Sequence, residues 1–350
     1  MRMSMEREKV RFPSGGTDCA AWHYPGTNGA CVVMAAGGGV TKEPGTDPFA
    51  ARFHAAGFSV LAFDYRRLGE SGGAPRQILN IKEQLADWRA AIECAAALPE
   101  VDPARVAAWG FSASGGHVFE VAARAPQLAA AIAQTPLADG PAASRKAMTY
   151  QTPWGMLRLT VRGLIDAAGG LFGRKPLLMA LAGPPGTVAM LTTPDGNDGD
   201  RALNPGNRYP EWQQEVAARS ALILSFYRPG RQASKAQCPL LVVVCDEDRS
   251  ALPGPAVDAA RRAPQAEVVH LPGGHYAPFM EAHEPAVEAE LAFLRRHLLD
   301  EAPAGHAPAG HAPAGHAPAG HAPAGHAAAA TADPATADPA TADPAARSRS

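Results

Sequence analysis

Four short apolar runs, at residues 30–36, 59–63, 105–109 and 129–134, punctuate the first half of the chain, and segments of helical periodicity or glycine-rich turns separate them. A chain that alternates in this way builds βαβ units, because two parallel strands need a crossover long enough to return to the same edge of the sheet. The pattern predicts an α/β protein with a mostly parallel sheet and helices on both faces.

The same reading places an N-terminal hairpin at residues 9–12 and 19–24, a helix at 47–56, and a helix at 81–97 with Leu85, Trp88, Ile92 and Ala95 on one face. A helix follows at 116–124, strands at 240–245 and 266–270, and a closing helix at 284–298. Residues 140–230 break the rhythm. They are rich in Pro and Gly with scattered apolar clusters (Trp154 with Met156, Leu157 and Leu159; Leu164 with Ile165; Leu171 with Phe172; residues 177–181), and they are too many for a loop in a compact domain. The prediction is a helical cap inserted between two strands. After residue 300 the unit Ala-Pro-Ala-Gly-His repeats five times and Thr-Ala-Asp-Pro-Ala three times. Such blocks bury too little apolar surface to offset their ordering entropy, so a disordered tail is expected, its regularly spaced histidines a property of composition rather than a metal site. The organisation predicted is therefore a core of residues 1–139 and 231–300, a cap of 140–230 and a tail of 301–350.

With 46% hydrophobic and 19% charged residues, the chain has enough apolar material for a large core. The net charge of −2 gives no reason to expect nucleic acid or an anionic membrane as a partner. No stretch approaches a membrane-spanning run, and the first nine residues, rich in charge, lack the apolar stretch of a signal peptide, so a cytoplasmic location is expected. The five cysteines are widely spaced without a Cys-x-x-Cys pair and read as small packing residues.

The chemistry concentrates in Trp109-Gly110-Phe111-Ser112-Ala113-Ser114-Gly115-Gly116, which lies between a predicted strand and a predicted helix. A serine on such a turn is lifted above the sheet edge beside a helix N-terminus, with small neighbours to let the flanking elements approach. Its hydroxyl needs a base, and the base an orienting acid, in the chain order Ser, Asp/Glu, His. Asp246 and Asp248 follow the strand 240–245, and His275 lies in the glycine-rich loop before the last helix. Asp248 is preferred because it stands a little beyond the strand end; Asp246 remains the alternative. His270, His117, His23 and His54 are weaker candidates for the base. Two N–H donors should face the developing oxyanion, one from Ala113 and one from Gly38 in the run Gly37-Gly38-Gly39. The charged segment from Phe63 to Gly72 reads as a packed strand end whose Asp64 and Arg66 form tethering ion pairs.

These residues together resemble the α/β-hydrolase superfamily, specifically bacterial hydrolases of the esterase/dipeptidyl-peptidase-like kind. The resemblance runs over residues 10–140 and 228–298 and rests on Phe63-Asp64-Tyr65-Arg66 with Gly69, Ser71 and Gly73, on the segment from Trp109 to His117, and on Asp248 and Gly274-His275. It implies an eight-stranded, mostly parallel sheet with a variable cap after the sixth strand. The chain departs from the family pattern at Ser114, where glycine is usual, and at Ala36-Gly37, where many relatives carry His-Gly.

The reading predicts hydrolysis of a carboxylic ester of a small molecule through an acyl-enzyme, with Ser112 as nucleophile, His275 as base, Asp248 as orienting acid, and no metal or organic cofactor. The alternatives are a thioesterase or Xaa-Pro-type peptidase using the same triad, and a non-catalytic binding protein on the same fold.

Overall fold

The computed structural model describes residues 7–300. Eight strands form one sheet: β1 (Glu8–Ser14), β2 (Thr17–Tyr24), β3 (Cys31–Ala35), β4 (Ser59–Phe63), β5 (Val106–Phe111), β6 (Ala130–Gln134), β10 (Leu240–Cys245) and β11 (Ala266–Leu271). Their order across the sheet is β1-β2-β4-β3-β5-β6-β10-β11. The pairings β1–β2 and β2–β4 are antiparallel, and those from β4 to β11 are parallel. Residues of β3, β4, β5, β6 and β10 are buried along their whole length, as expected of strands covered on both faces.

The crossovers are α1 (Lys42–Ala55), α2 (Ile81–Ala96) and α3 (Ala113–Arg124); α8 (Pro253–Arg262) and α9 (His283–Leu298) flank β11 in the chain. Asn80 caps α2 by accepting from the Glu83 N–H, and Trp88, Ile92 and Ala95 bury its inner face. Helix α1 begins five residues before the predicted start at 47. Pro44 sits in its first turn, where no intrahelical N–H is needed, and Pro48 is carried inside. Helix α3 likewise begins at Ala113, directly after Ser112, three residues ahead of the prediction.

The segment between β6 and β10 contains α4 (Gly140–Met148), α5 (Pro153–Leu171), α6 (Gly199–Leu203) and α7 (Arg219–Phe226). It is not purely helical as expected. Strands β7 (Leu178–Ala182), β8 (Ala189–Leu191) and β9 (Glu215–Ala217) form a second sheet in the order β8-β7-β9. The apolar cluster at 177–181 is thus mainly a strand, whose buried Met179 and Leu181 alternate with more exposed neighbours. Asp166 of α5 clamps Arg219 at the start of α7 with two bonds of 2.8 and 2.9 Å. Gln77 of the core accepts from the Ala217 N–H at 2.7 Å and donates through Nε2 to the Glu215 carbonyl at 2.6 Å, fixing β9 to the core.

All five cysteines are free, four of them buried, and Cys31 and Cys245 lie within strands. Asp64 and Arg66 are ion-paired as expected: Asp64 accepts from Lys42 Nζ at 2.9 Å and Arg66 Nε donates to Asp87 at 2.8 Å. The predicted tail, 301–350, lies outside the described residues. Among the described residues no helix is long and apolar enough to cross a membrane.

Candidate active site

Because β3, β5, β10 and β11 run parallel, the loops that leave their C-terminal ends all emerge on one edge of the sheet. Those loops carry Gly38, Ser112, Asp248 and His275, residues separated by up to 237 positions in the chain.

Ser112 stands at the junction of β5 and α3 with φ 58° and ψ −115°, a conformation costly for a residue with a side chain. The turn is held by its backbone: Ser112 N–H donates to the Gln134 carbonyl, and the Ser112 carbonyl accepts from Leu137 and Gly116, each at 2.9 Å. Glycines make it possible. A Cβ at Gly110 would stand 2.4 Å from the Ser114 carbonyl oxygen, and one at Gly116 2.5 Å from that of Leu137. Ser114 fits where glycine is usual because its side chain turns away from these contacts. Its hydroxyl donates to the Ala36 carbonyl and lies 2.6 Å from the Tyr65 hydroxyl, which is left to donate to it.

His275 Nε2 lies 2.9 Å from Ser112 Oγ, and Nδ1 lies 2.7 Å from Asp248 Oδ2. The other Asp248 oxygen accepts from the Ser250 and Ala251 N–H groups at 2.9 and 2.7 Å. An ionised Asp248 accepts only, so Nδ1 carries the proton and Nε2 offers its lone pair to the serine hydroxyl. The rings of Phe111 and Tyr276, with centroids 5.1 and 4.9 Å away, hold the imidazole between them. Burial alone would pull the pKa of His275 down; the negative charge and hydrogen bond of Asp248, with the charge of Asp195, outweigh it and raise the value above 6.5.

The competing groups lie elsewhere. Asp246 pairs with His270 at 2.7 Å, with both side chains more than half exposed. His117 is buried in α3 between the Tyr227 hydroxyl at 2.8 Å and Gln84 Oε1 at 3.0 Å, and burial lowers its pKa to about 3. His23 contacts Glu100 at 2.7 Å and His54 the Pro25 carbonyl at 3.0 Å.

Of the three consecutive glycines, Gly37 and Gly39 stand where a side chain would crowd its neighbours, whereas Gly38 has room for a Cβ. A Cβ at Gly37 would stand 3.3 Å from that of Ser112; one at Gly38 would stand 3.4 Å from that of Ala113; Gly39 has φ +77° and would strike Val216 at 2.5 Å. Gly38 and Ala113 are therefore neighbours beside Ser112, and Ala113, as the first residue of α3, has an N–H without an intrahelical acceptor. Trp212 of the inserted segment pins the loop by donating from Nε1 to the Gly39 carbonyl at 3.0 Å.

Sequence reasoning did not find Asp195. It lies in a 3₁₀ turn, Pro194–Asp198, of the inserted segment, and its carboxylate binds the loops of both Asp248 and His275. It accepts from the Arg249 N–H at 2.7 Å, the Ser250 hydroxyl at 2.9 Å and the His275 N–H at 3.3 Å. These bonds and the neighbouring imidazole hold its pKa below the usual value against the upward pull of burial. Gly274 leaves it room: a Cβ there would stand 3.0 Å from that of Asp195. In sequence it is one aspartate in a Pro-Asp-Gly-Asn turn, more than fifty residues from its partners.

A cavity of about 300 Å³ opens onto Ser112 and His275. Its wall is mostly apolar and includes Val40 and Leu137 of the core and Met148, Met156, Leu159 and Leu224 of α4, α5 and α7.

Residues 32–290 match the profile described as the alpha/beta hydrolase family. The chain is 41% identical over 292 residues to the quorum-quenching protein AidA of Acinetobacter baumannii, an alignment covering 82% of this chain and 94% of that protein. It is 30% identical over 193 residues to the thiohydrolase aneE of Aspergillus aculeatus, covering 54% and 57% of the two chains. Among solved structures it is similar to the alpha/beta hydrolase GrgF from Penicillium sp. sh18, with a TM-score of 0.70 at 21% identity over 84% of this chain and 99% of that one.

Proposed function

This chain belongs to the alpha/beta hydrolase family, and we propose that it is a serine hydrolase that cleaves carboxylic esters with an apolar acyl group through an acyl-enzyme. The observation that carries the reading is the unbroken hydrogen-bonded series from Ser112 Oγ through His275 to Asp248 at the wall of an apolar cavity.

His275 Nε2 takes the Ser112 proton as Oγ attacks the substrate carbonyl. The tetrahedral oxyanion is received by the N–H groups of Gly38 and Ala113. Asp248 keeps Nδ1 protonated and stabilises the imidazolium, which then gives its Nε2 proton to the departing alcohol. Water repeats the cycle: Nε2 takes its proton, its oxygen attacks the acyl carbon, and Ser112 leaves with the proton returned to Oγ. The apolar wall favours an acyl chain over a charged or peptide-like group at that subsite. The segment 140–230 acts as the cap that supplies most of this wall.

A thioester is the second reading, supported by the similarity to a thiohydrolase. The name of AidA makes a small signalling molecule with a hydrolysable acyl bond the class to test beside simple esters. Turnover of short and medium-chain aryl esters, the matching acyl thioesters and Xaa-Pro amides decides between the bonds. Ester cleavage fastest with medium acyl chains, and abolished in Ser112→Ala, is expected; turnover of amides alone, or turnover unchanged in Ser112→Ala, overturns the reading.

A further inference from the structure

The outer face of α5 has the composition of a core and the exposure of a surface. Trp154, Leu157, Val161, Leu164, Ile165 and Phe172 at its C-cap are between 43% and 83% exposed. At 100° per residue they fall within one arc about 100° wide. The opposite face is used: Gly155, Gly163 and Asp166 are buried there, and Met156 and Leu159 line the cavity. Monomeric proteins rarely leave so much contiguous apolar surface in water.

The exposed charges of the segment that carries this face have one sign. Residues 140–182 contain Arg145, Lys146, Arg158, Arg162, Arg174 and Lys175 and a single acid, Asp166. All six basic residues are exposed, whereas Asp166 is buried and committed to Arg219. Arg158 and Arg162 border the apolar arc directly, the latter also donating to the Leu178 carbonyl at 2.7 Å. The total charge of −2 conceals this local excess.

We propose that the outer face of α5 docks on an anionic lipid surface, with the helix lying in the plane of the interface. An apolar stripe containing Trp, Phe and Leu, bordered by arginines, suits the boundary between acyl chains and charged headgroups. A second copy of the chain suits it less. Two such faces brought together would juxtapose their basic borders, and no acidic side chain of 140–182 is free to answer them. The contact is interfacial, since α5 is not apolar enough to span a bilayer. Met148 is half exposed and also lines the cavity, so the cavity reaches the surface beside α4 and α5. A docked α5 would set that opening near the lipid, where acyl compounds concentrate. The docking itself does not depend on the proposed chemistry.

Co-sedimentation of the full chain with phosphatidylcholine vesicles, with and without phosphatidylglycerol, tests the proposal. Binding is expected to require the anionic lipid and to weaken as salt is raised. Leu157→Glu with Ile165→Glu, two residues outside the cavity wall, should lower vesicle binding at least about tenfold while leaving the thermal unfolding midpoint unchanged. Arg158→Gln should lower it about fivefold. No binding to anionic vesicles, or binding equal in wild type and double variant, overturns the proposal. So does a dimer in solution, dissociated by the double variant, from a chain that does not bind vesicles.

Discussion

The Ser114 hydroxyl donates to the Ala36 carbonyl, joining the two positions at which this chain departs from the pattern it resembles. One lies on the turn that carries Ser112 and the other just before the glycine run that carries Gly38. The Tyr65 hydroxyl, 2.6 Å from Ser114 Oγ, completes a buried three-residue link between the loop after β3, the first turn of α3 and the loop after β4. The link ties the loop that bears Gly38 to the turn that bears Ser112.

Replacing Ser114 by alanine leaves the Ala36 carbonyl and the Tyr65 hydroxyl unpaired in the interior. A loss of about 1–3 kcal/mol in unfolding free energy is expected, read by chemical denaturation. As the loop bearing Gly38 loosens, kcat should fall about tenfold with KM nearly unchanged, because the oxyanion contact is made mainly in the transition state.

In the proposed mechanism the pH dependence of kcat/KM reports His275, which must be neutral to act as base. Its pKa is raised above 6.5, so the acid limb should have its midpoint above that value, with activity rising as pH rises through it. Asp195 contributes to the increase and bonds the His275 backbone N–H. Asp195→Asn should move the midpoint to lower pH, whereas loss of a merely structural tie would lower the rate without moving it.

The two aspartates after β10 should differ sharply. Asp248→Asn is expected to reduce kcat about 10⁴-fold, since an amide at that place favours the wrong imidazole tautomer. Asp246→Asn removes only a surface contact with His270 and should change kcat less than about twofold.

Glu290 of α9 is fully buried, with the Trp109 indole N–H as a donor at 3.0 Å. Burial raises its pKa well above 4.5, against the opposing effect of that bond. A carboxyl of this kind binds more protons when folded than unfolded, so it lowers stability progressively as pH rises beyond 4.5. Its share of the slope is at most about 1.4 kcal/mol per pH unit. Glu290→Gln should remove that share, and denaturation curves of the two proteins at about pH 5 and pH 7 measure the difference.

The central strands β3 to β6 and β10 were legible because they are buried on both faces and read as continuous apolar runs. That Ser112, Asp248 and His275 come together was legible because each follows a strand that ends at one sheet edge and local signals mark it: glycines around Ser112 and before His275, a cluster of acids around Asp248. The inserted segment was harder. Its strands β8 and β9 have only three residues each, too few to show a period, and β7 is only half buried. Asp195 gave no signal at all, because its partners are backbone N–H groups and a serine hydroxyl brought close only by the fold. The start of α1 lies five residues ahead of the predicted one, its first turn holding Pro44 and Gly45, which punctuate a sequence rather than mark a helix.

Labelling the folded chain with a fluorophosphonate and mapping the modified peptide decides whether Ser112 is the nucleophile, because only an activated serine reacts and the map names it. Modification of Ser112 alone, lost in His275→Ala, is expected. Labelling at another residue, or none in folded protein, would contradict it.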